Sequence, residues 1–308
     1  MNSEKPALWA NVHQASKIYI LPNFFTAGNL FFGFVSIVLC MRGRFDPHTE
    51  SALHSIANLF VKTNPDTNPS ASYYVIAILA ILLSVFCDAL DGRVARASGK
   101  TSLFGKEFDS LADAVAFGVA PCLLTFLLTL NPMRQLSPDM QNTFGALGWF
   151  VAFIYLLCGC IRLARFNVLT CPYITGHEKY EKGDFSGLPV PAAAGAMSSI
   201  ALTMMHFELW DYTLWCVPIM LMISFLMISN IPYPSFKHVN WDTSTRIRGF
   251  VLIVACICLI LYLGMYSFTV IFLSYIAYPP IKYMPKFFRI VRYMIRRKFG
   301  GGNRKAAR

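Results

Sequence analysis

About eight long apolar runs constrain this chain more than any other feature it has. A helix that spans a bilayer takes roughly 20 mainly apolar residues. The runs are Leu21–Met41, Ala71–Leu90, Ser110–Leu130, Gly145–Ala164, Leu188–Met205, Thr213–Asn230, Gly249–Leu263 and Tyr266–Ala277. The last two are short and separated by little more than Gly264, so hydrophobic pattern alone leaves seven or eight spans. Of 308 residues 56% are hydrophobic and 14% charged, against about 25% charged in an ordinary soluble domain. No water-soluble surface could be built from this mixture. The expected fold class is an all-α integral membrane protein, one bundle of about eight transmembrane helices.

Charge chooses between seven and eight. With eight spans and the N-terminus inside, 23 of the 27 Lys and Arg fall on the cytosolic side. With seven, the basic tail moves outside and the split becomes nearly even. The positive-inside rule therefore predicts eight spans with both termini cytosolic. The predicted organisation is a cytosolic N-terminal segment at 1–20, a membrane core at 21–230, two further helices at 231–280 and a basic tail at 281–308. The first segment reads either as an interfacial amphipathic helix or as a plain leader. The loop from Arg42 to Ser70 reads as irregular, and the tail as solvated or lipid-facing.

The net charge of +11 is concentrated next to apolar runs, ten of the cations lying between Lys282 and Arg308. That pattern fits contact with membrane lipid headgroups and not a nucleic-acid surface. The nine cysteines are scattered through apolar runs at spacings unlike those of zinc sites, and read as small core residues.

The chemistry concentrates between residues 88 and 113, DALDGRVARASGKTSLFGKEFDSLAD. Four aspartates here abut two apolar runs, where ionisable groups are costly and usually functional. Asp88 and Asp91 are i, i+3 near the end of one helix; Asp109 and Asp113 are i, i+4 near the start of the next. Two facing pairs are expected, meeting at one centre. Helix capping accounts for Asp109 but not for acids at a helix C-terminus. Oxygen-only ligands favour Mg²⁺ or Mn²⁺, and two such divalent cations can clamp a phosphoryl group during in-line displacement. Gly92 and Gly105 let backbone approach a phosphate, and Arg96 adds a planar donor. A cation-coupled transporter is the alternative from another class, but no inverted repeat accompanies the acids.

Asp88, Asp91, Gly92, Ala95, Arg96, Gly105, Asp109 and Asp113 occupy every specified position of D-x2-D-G-x2-A-R-x8-G-x3-D-x3-D. This resembles the signature of the CDP-alcohol phosphatidyltransferases. The resemblance implies a six-helix core over the first six runs, a homodimer, and transfer of a phosphatidyl group from a CDP-linked lipid to an alcohol with release of CMP. It implies that Asp88, Asp91 and Asp109 bind metal, and that Asp113 helps hold the second metal and acts as general base.

Two further stretches, CGCIRLARFNV from Cys158 and DFSGLPVPAAAGA from Asp184, resemble segments of the bacterial serine-using branch of this superfamily, as does the opening LPNFFTAGNL. CDP-diacylglycerol and L-serine are then the expected substrates; glycerol 3-phosphate or inositol is the alternative acceptor. Arg162 and Arg165 suit a serine carboxylate, with Asn167 adding a hydrogen bond; the competing reading makes both arginines positive-inside anchors. Asn23 and Thr26 are candidates for the CDP-lipid, or local helix caps. The small residues Ala192–Ala196 suit close helix packing.

Overall fold

The computed structural model describes residues 20–46, 51–61, 70–98, 103–129, 138–169, 185–234, 258, 262–264 and 266–300. Its elements are α1 (Ile20–Phe45), α2 (Ser51–Asn58), α3 (Ala71–Ser98), α4 (Leu103–Asp113), a π-helical segment (Ala114–Val119), α5 (Ala120–Thr129), α6 (Pro138–Leu169), β1 (Phe185–Ser186), α7 (Val190–His206), a 3₁₀ turn (Trp210–Trp215), α8 (Cys216–Ile228), β2 (Pro232–Tyr233) and α9 (Tyr266–Gly300).

Among the described residues, four helical stretches are long and apolar enough to cross a membrane: Asn23–Phe45, Ala71–Val94, Leu103–Leu128 and Leu147–Leu169. They match the first four expected runs. The fifth run forms α7, of 17 residues, about 25 Å long. The sixth is divided. Six residues of 3₁₀ helix lead directly into the 13 of α8, and at about 2.0 and 1.5 Å per residue the two together reach about 31 Å. Apart from Cys258 and 262–264, the seventh run lies outside the described residues, as does the N-terminal segment before Ile20.

One expectation is corrected. The loop after α1 is not wholly irregular, because α2 forms within it and packs on α3. His54 on α2 meets Ser72 Oγ at 3.1 Å and Asn58 at 2.9 Å, which gives its polar side partners. Helix α9 runs from Tyr266 to Gly300, through the boundary expected at 280.

The core lies where α1, α3, the π segment, α5, α6 and α7 meet. Its side chains are mostly small or aliphatic, such as Ala77, Ile78, Ala116, Leu124 and Ala193. Large apolar groups including Phe31, Phe86, Phe153 and Phe225 point outward, as they must where the surrounding medium is hydrocarbon. The Ala192–Ala196 stretch does allow close packing, with Gly195 against the ring of Phe272 on α9. Thr203 and Thr269 join the same pair of helices through hydroxyls 2.7 Å apart.

Proline accounts for the irregular backbone. Pro121 has no N–H to give the carbonyl four residues earlier, that of Phe117. Just ahead of it the chain widens into the π segment, where the Ala120 N–H bonds to the Val115 carbonyl. The Tyr155 hydroxyl of α6 donates to the Phe117 carbonyl at 3.1 Å. The same device recurs on α9: Pro280 orphans the Ile276 carbonyl, and the buried Tyr233 hydroxyl donates to it at 3.2 Å. Tyr233 belongs to the short antiparallel pairing of β2 with β1, in which Phe185 faces Tyr233 and Ser186 faces Pro232. Gly187 then turns the chain back into the bundle with φ of 85°, a left-handed conformation that side chains with a Cβ resist.

Candidate active site

The aspartates sit where α3 ends and α4 begins. One carboxylate oxygen from each of Asp88, Asp109 and Asp113 lies within 4.8 Å of the other two. At that range two ionised carboxylates repel by about 3–4 kcal/mol at an effective dielectric near 20. Three such repulsions sum to about 10 kcal/mol, comparable to the net stability of a domain. The cluster therefore requires protons or a cation.

Its donor set fits a cation. Asp109 Oδ1 is buried with no hydrogen-bond partner among the described residues, an acceptor open to a ligand from outside the chain. Oxygens that share one octahedral Mg²⁺ stand about 3 Å apart in cis and about 4.2 Å in trans, so side-chain shifts of under about 1 Å would close the trio on such an ion. All three ligand atoms are oxygen, which suits Mg²⁺ or Mn²⁺ better than zinc.

Asp91 departs from the two facing pairs expected of the spacing. It is buried and accepts a hydrogen bond from the Thr26 hydroxyl of α1. Residues three apart on a helix point about 60° from each other, and on α3 that turn carries Asp91 toward α1 while Asp88 faces α4. Asp91 remains near enough to Asp109 for their charges to interact.

Helix α1 reaches the site a second time. Asn29, wholly buried, donates from Nδ2 to Asp113 Oδ1 at 2.9 Å. Ser84 of α3 donates to the Asn29 carbonyl at 3.1 Å and to its side-chain Oδ1. An oxygen that accepts from Ser84 leaves the amide nitrogen for Asp113, so the orientation of Asn29 follows from its partners. One turn on, Gly33 packs against the π segment: a Cβ there would come 2.6 Å from Ala116 Cα. Sequence reasoning passed over Asn29 and Ser84. The available signal was a polar residue inside an apolar run, three positions after Thr26 and four before Asp88 respectively.

The remaining candidates divide. Gly92 and Gly105 are half-buried near the aspartates on α3 and α4. Ala95 and Arg96 lie in the last turns of α3, their side chains outside the described set. Asn23 is half-buried, and its Nδ2 has no partner among the described residues. Arg162 on α6 lies close enough to Asp113 for their charges to attract. Arg165 instead donates to Ser186 Oγ at 3.2 Å and Asn230 Oδ1 at 2.9 Å, tying α6 to the turn around β1 and to the end of α8. Asn167 donates to Ser110 Oγ at 2.8 Å and Glu107 at 3.3 Å on α4. The three residues expected to hold one carboxylate thus point to three different neighbours.

Beside the aspartates, α1 and the π segment border an apolar groove of about 430 Å³ lined by Ala27, Leu30, Phe31, Phe34 and Val115. Carboxylates for a cation at one end and an apolar groove alongside suit a substrate with a phosphate head and a hydrocarbon tail.

The profile of the CDP-alcohol phosphatidyltransferase family matches residues 19–226. The chain belongs to that family. It is an integral membrane protein of helical architecture, as the four long apolar stretches require. Among its relatives is the CDP-diacylglycerol–serine O-phosphatidyltransferase of Helicobacter pylori strain J99, 31% identical over 87% of this chain and 92% of that protein. The Saccharomyces cerevisiae protein of the same name is 34% identical over 75% of this chain and 62% of its own length. An archaetidylserine synthase from Methanothermobacter thermautotrophicus is 38% identical over 54% of this chain and 62% of that protein. The family match contains the whole aspartate cluster, together with Thr26, Asn29 and Arg162. Helix α9 lies beyond it, yet packs on α7 and is held through Tyr233.

Proposed function

We propose that this phosphatidyltransferase moves the phosphatidyl group of CDP-diacylglycerol to the hydroxyl of L-serine and releases CMP. The observation that carries the reading is the convergence of Asp88, Asp109 and Asp113 on one point within 4.8 Å. Serine as the acceptor is supported by the names of the bacterial, yeast and archaeal relatives alike.

In this reading Asp88, Asp91, Asp109 and Asp113 hold two divalent cations, Mg²⁺ or Mn²⁺. Bound there, the cations neutralise charge on the pyrophosphate and stabilise it as it builds on the leaving CMP. The side chains do the rest. Asp91, which accepts the Thr26 hydrogen bond, would complete the ligand set. Asp113, steadied by Asn29, accepts the proton of the serine hydroxyl as its oxygen attacks phosphorus. That bond forms as the bond from phosphorus to the CMP oxygen breaks. Arg162 receives the serine carboxylate, since a guanidinium beside Asp113 brings that end of serine next to the base. Gly92, Gly105 and Arg96 serve the nucleotide side, and the apolar groove takes part of the lipid tail. The aspartates lie at the cytosolic face, which the distribution of Lys and Arg favours. Residues 21–230 form the catalytic unit in this reading, and the helices beyond it are additions.

The deciding experiment offers purified protein, CDP-diacylglycerol and Mn²⁺ or Mg²⁺ to separate acceptors and measures CMP. Serine is expected to give the fastest release. Equal or faster release with glycerol 3-phosphate or inositol would overturn the serine assignment.

A further inference from the structure

We propose that Tyr155 is a positioning residue for Asp113, acting through the backbone of the π segment. The proposal rests on the reading of Asp113 as general base. Asp113 is the last residue before the π segment, so its direction is set by how that segment is held. Contacts from both sides hold it. On the α1 side, Asn29 grips the Asp113 carboxylate and Gly33, one turn later, abuts Ala116. On the α6 side, the Tyr155 hydroxyl bonds to the Phe117 carbonyl. Tyr155 is wholly buried.

Pro121 narrows the donors open to that carbonyl. A regular helix would supply the Phe117 carbonyl with the N–H of residue 121, and proline has none. In hydrocarbon an unsatisfied carbonyl is costly, so without Tyr155 the segment would rearrange to find another donor. The most accessible rearrangement is a rewinding of the π turns, and any rewinding rotates Asp113 relative to Asp88 across the gap between α4 and α3. Tyr155 and Arg162 are seven residues apart and so share one face of α6. That face meets Phe117 through Tyr155 and carries Arg162 within electrostatic range of Asp113, with α6 antiparallel to the α4–α5 rod. A single face of α6 thus sets both the base and the guanidinium beside it. π-turns inside α-helices are frequent at functional sites; here the sequence marks one with a proline and its cap with a tyrosine on another helix.

The test is a double-mutant cycle on the full chain with CMP release as readout. Tyr155→Phe removes only the hydroxyl. It is expected to lower kcat about ten- to a hundredfold, as a misplaced reacting group does, with KM for serine and for CDP-diacylglycerol within about twofold of the unmodified protein. Pro121→Ala restores an N–H at the orphaned carbonyl. In that background Tyr155→Phe is expected to cost less than about threefold. A Tyr155→Phe protein with unchanged kcat overturns the proposal, and so does an equal loss in both backgrounds. A loss confined to KM overturns it as well. If Tyr155→Phe alone does not yield folded protein, recovery of folded, active enzyme on adding Pro121→Ala supports the proposal, and failure to recover it overturns it. Asp113→Asn separates the two readings: turnover by that variant removes Asp113 as base, whatever Tyr155 does.

Discussion

Asn29→Leu is the sharpest perturbation of this site that leaves every carboxylate in place. The substitution keeps side-chain volume roughly constant and removes the donor 2.9 Å from Asp113 Oδ1. A hydrogen bond to a charged group contributes about 1.5–3 kcal/mol. If that bond orients Asp113 for proton transfer, its loss appears in the barrier as about 10- to 150-fold in kcat, at about 1.4 kcal/mol per factor of ten. Ser84→Ala gives an internal scale. Ser84 steadies Asn29 through bonds between neutral groups, each contributing about 0.5–1.5 kcal/mol, so that variant should lose only about 2- to 12-fold. The assay is CMP release at saturating CDP-diacylglycerol and serine, with metal binding followed separately by titration with Mn²⁺. The expected ranking is Asn29→Leu well below Ser84→Ala, with Mn²⁺ still bound in both. Turnover of Asn29→Leu within twofold of the unmodified protein would refute the reasoning, because the hydrogen bond would then have no part in aiming Asp113. A ranking in which Ser84→Ala is the worse variant would refute it too, since Ser84 reaches Asp113 only through Asn29.

Asp113→Asn is expected to abolish CMP release while nucleotide and Mn²⁺ binding survive in part through Asp88 and Asp109; turnover and equilibrium binding measured on one preparation check both halves. Gly33→Val places a branched side chain where Ala116 backbone lies 2.6 Å from a Cβ, and should cost about 1–3 kcal/mol of stability as overpacking does, read as a lower thermal midpoint in detergent together with reduced turnover. Arg162→Lys should raise the KM for serine more than Arg165→Ala, because Arg162 lies within electrostatic range of Asp113 whereas Arg165 is engaged with Ser186 and Asn230; a larger KM effect at Arg165 would reverse the two roles.

What the sequence made legible follows from how local each feature is. The aspartate cluster was readable because its spacing is a property of two adjacent helix ends, and a short loop between them brings the ends together whatever the rest of the bundle does. Which acids would meet was not readable. Asp88 and Asp91 differ by about 60° around α3, and only the location of α1 decides that Thr26 engages one of them. The same limit applies to Arg162, Arg165 and Asn167. Six residues of α6 hold all three, but successive side chains sweep around the helix, and their neighbours come from α4, the turn at β1 and the end of α8. A sequence segment can announce an acceptor site without saying which of its polar residues faces it. The proline-orphaned carbonyls sit between these extremes. Pro121 and Pro280 state in the sequence that Phe117 and Ile276 will each lack a helical donor, and in a membrane that donor has to come from the protein. The helix that supplies it is a matter of packing. For Phe117 it is α6, the helix that also carries Arg162 within electrostatic range of Asp113, so satisfying one backbone group and setting the α6 face toward the aspartates become the same structural requirement.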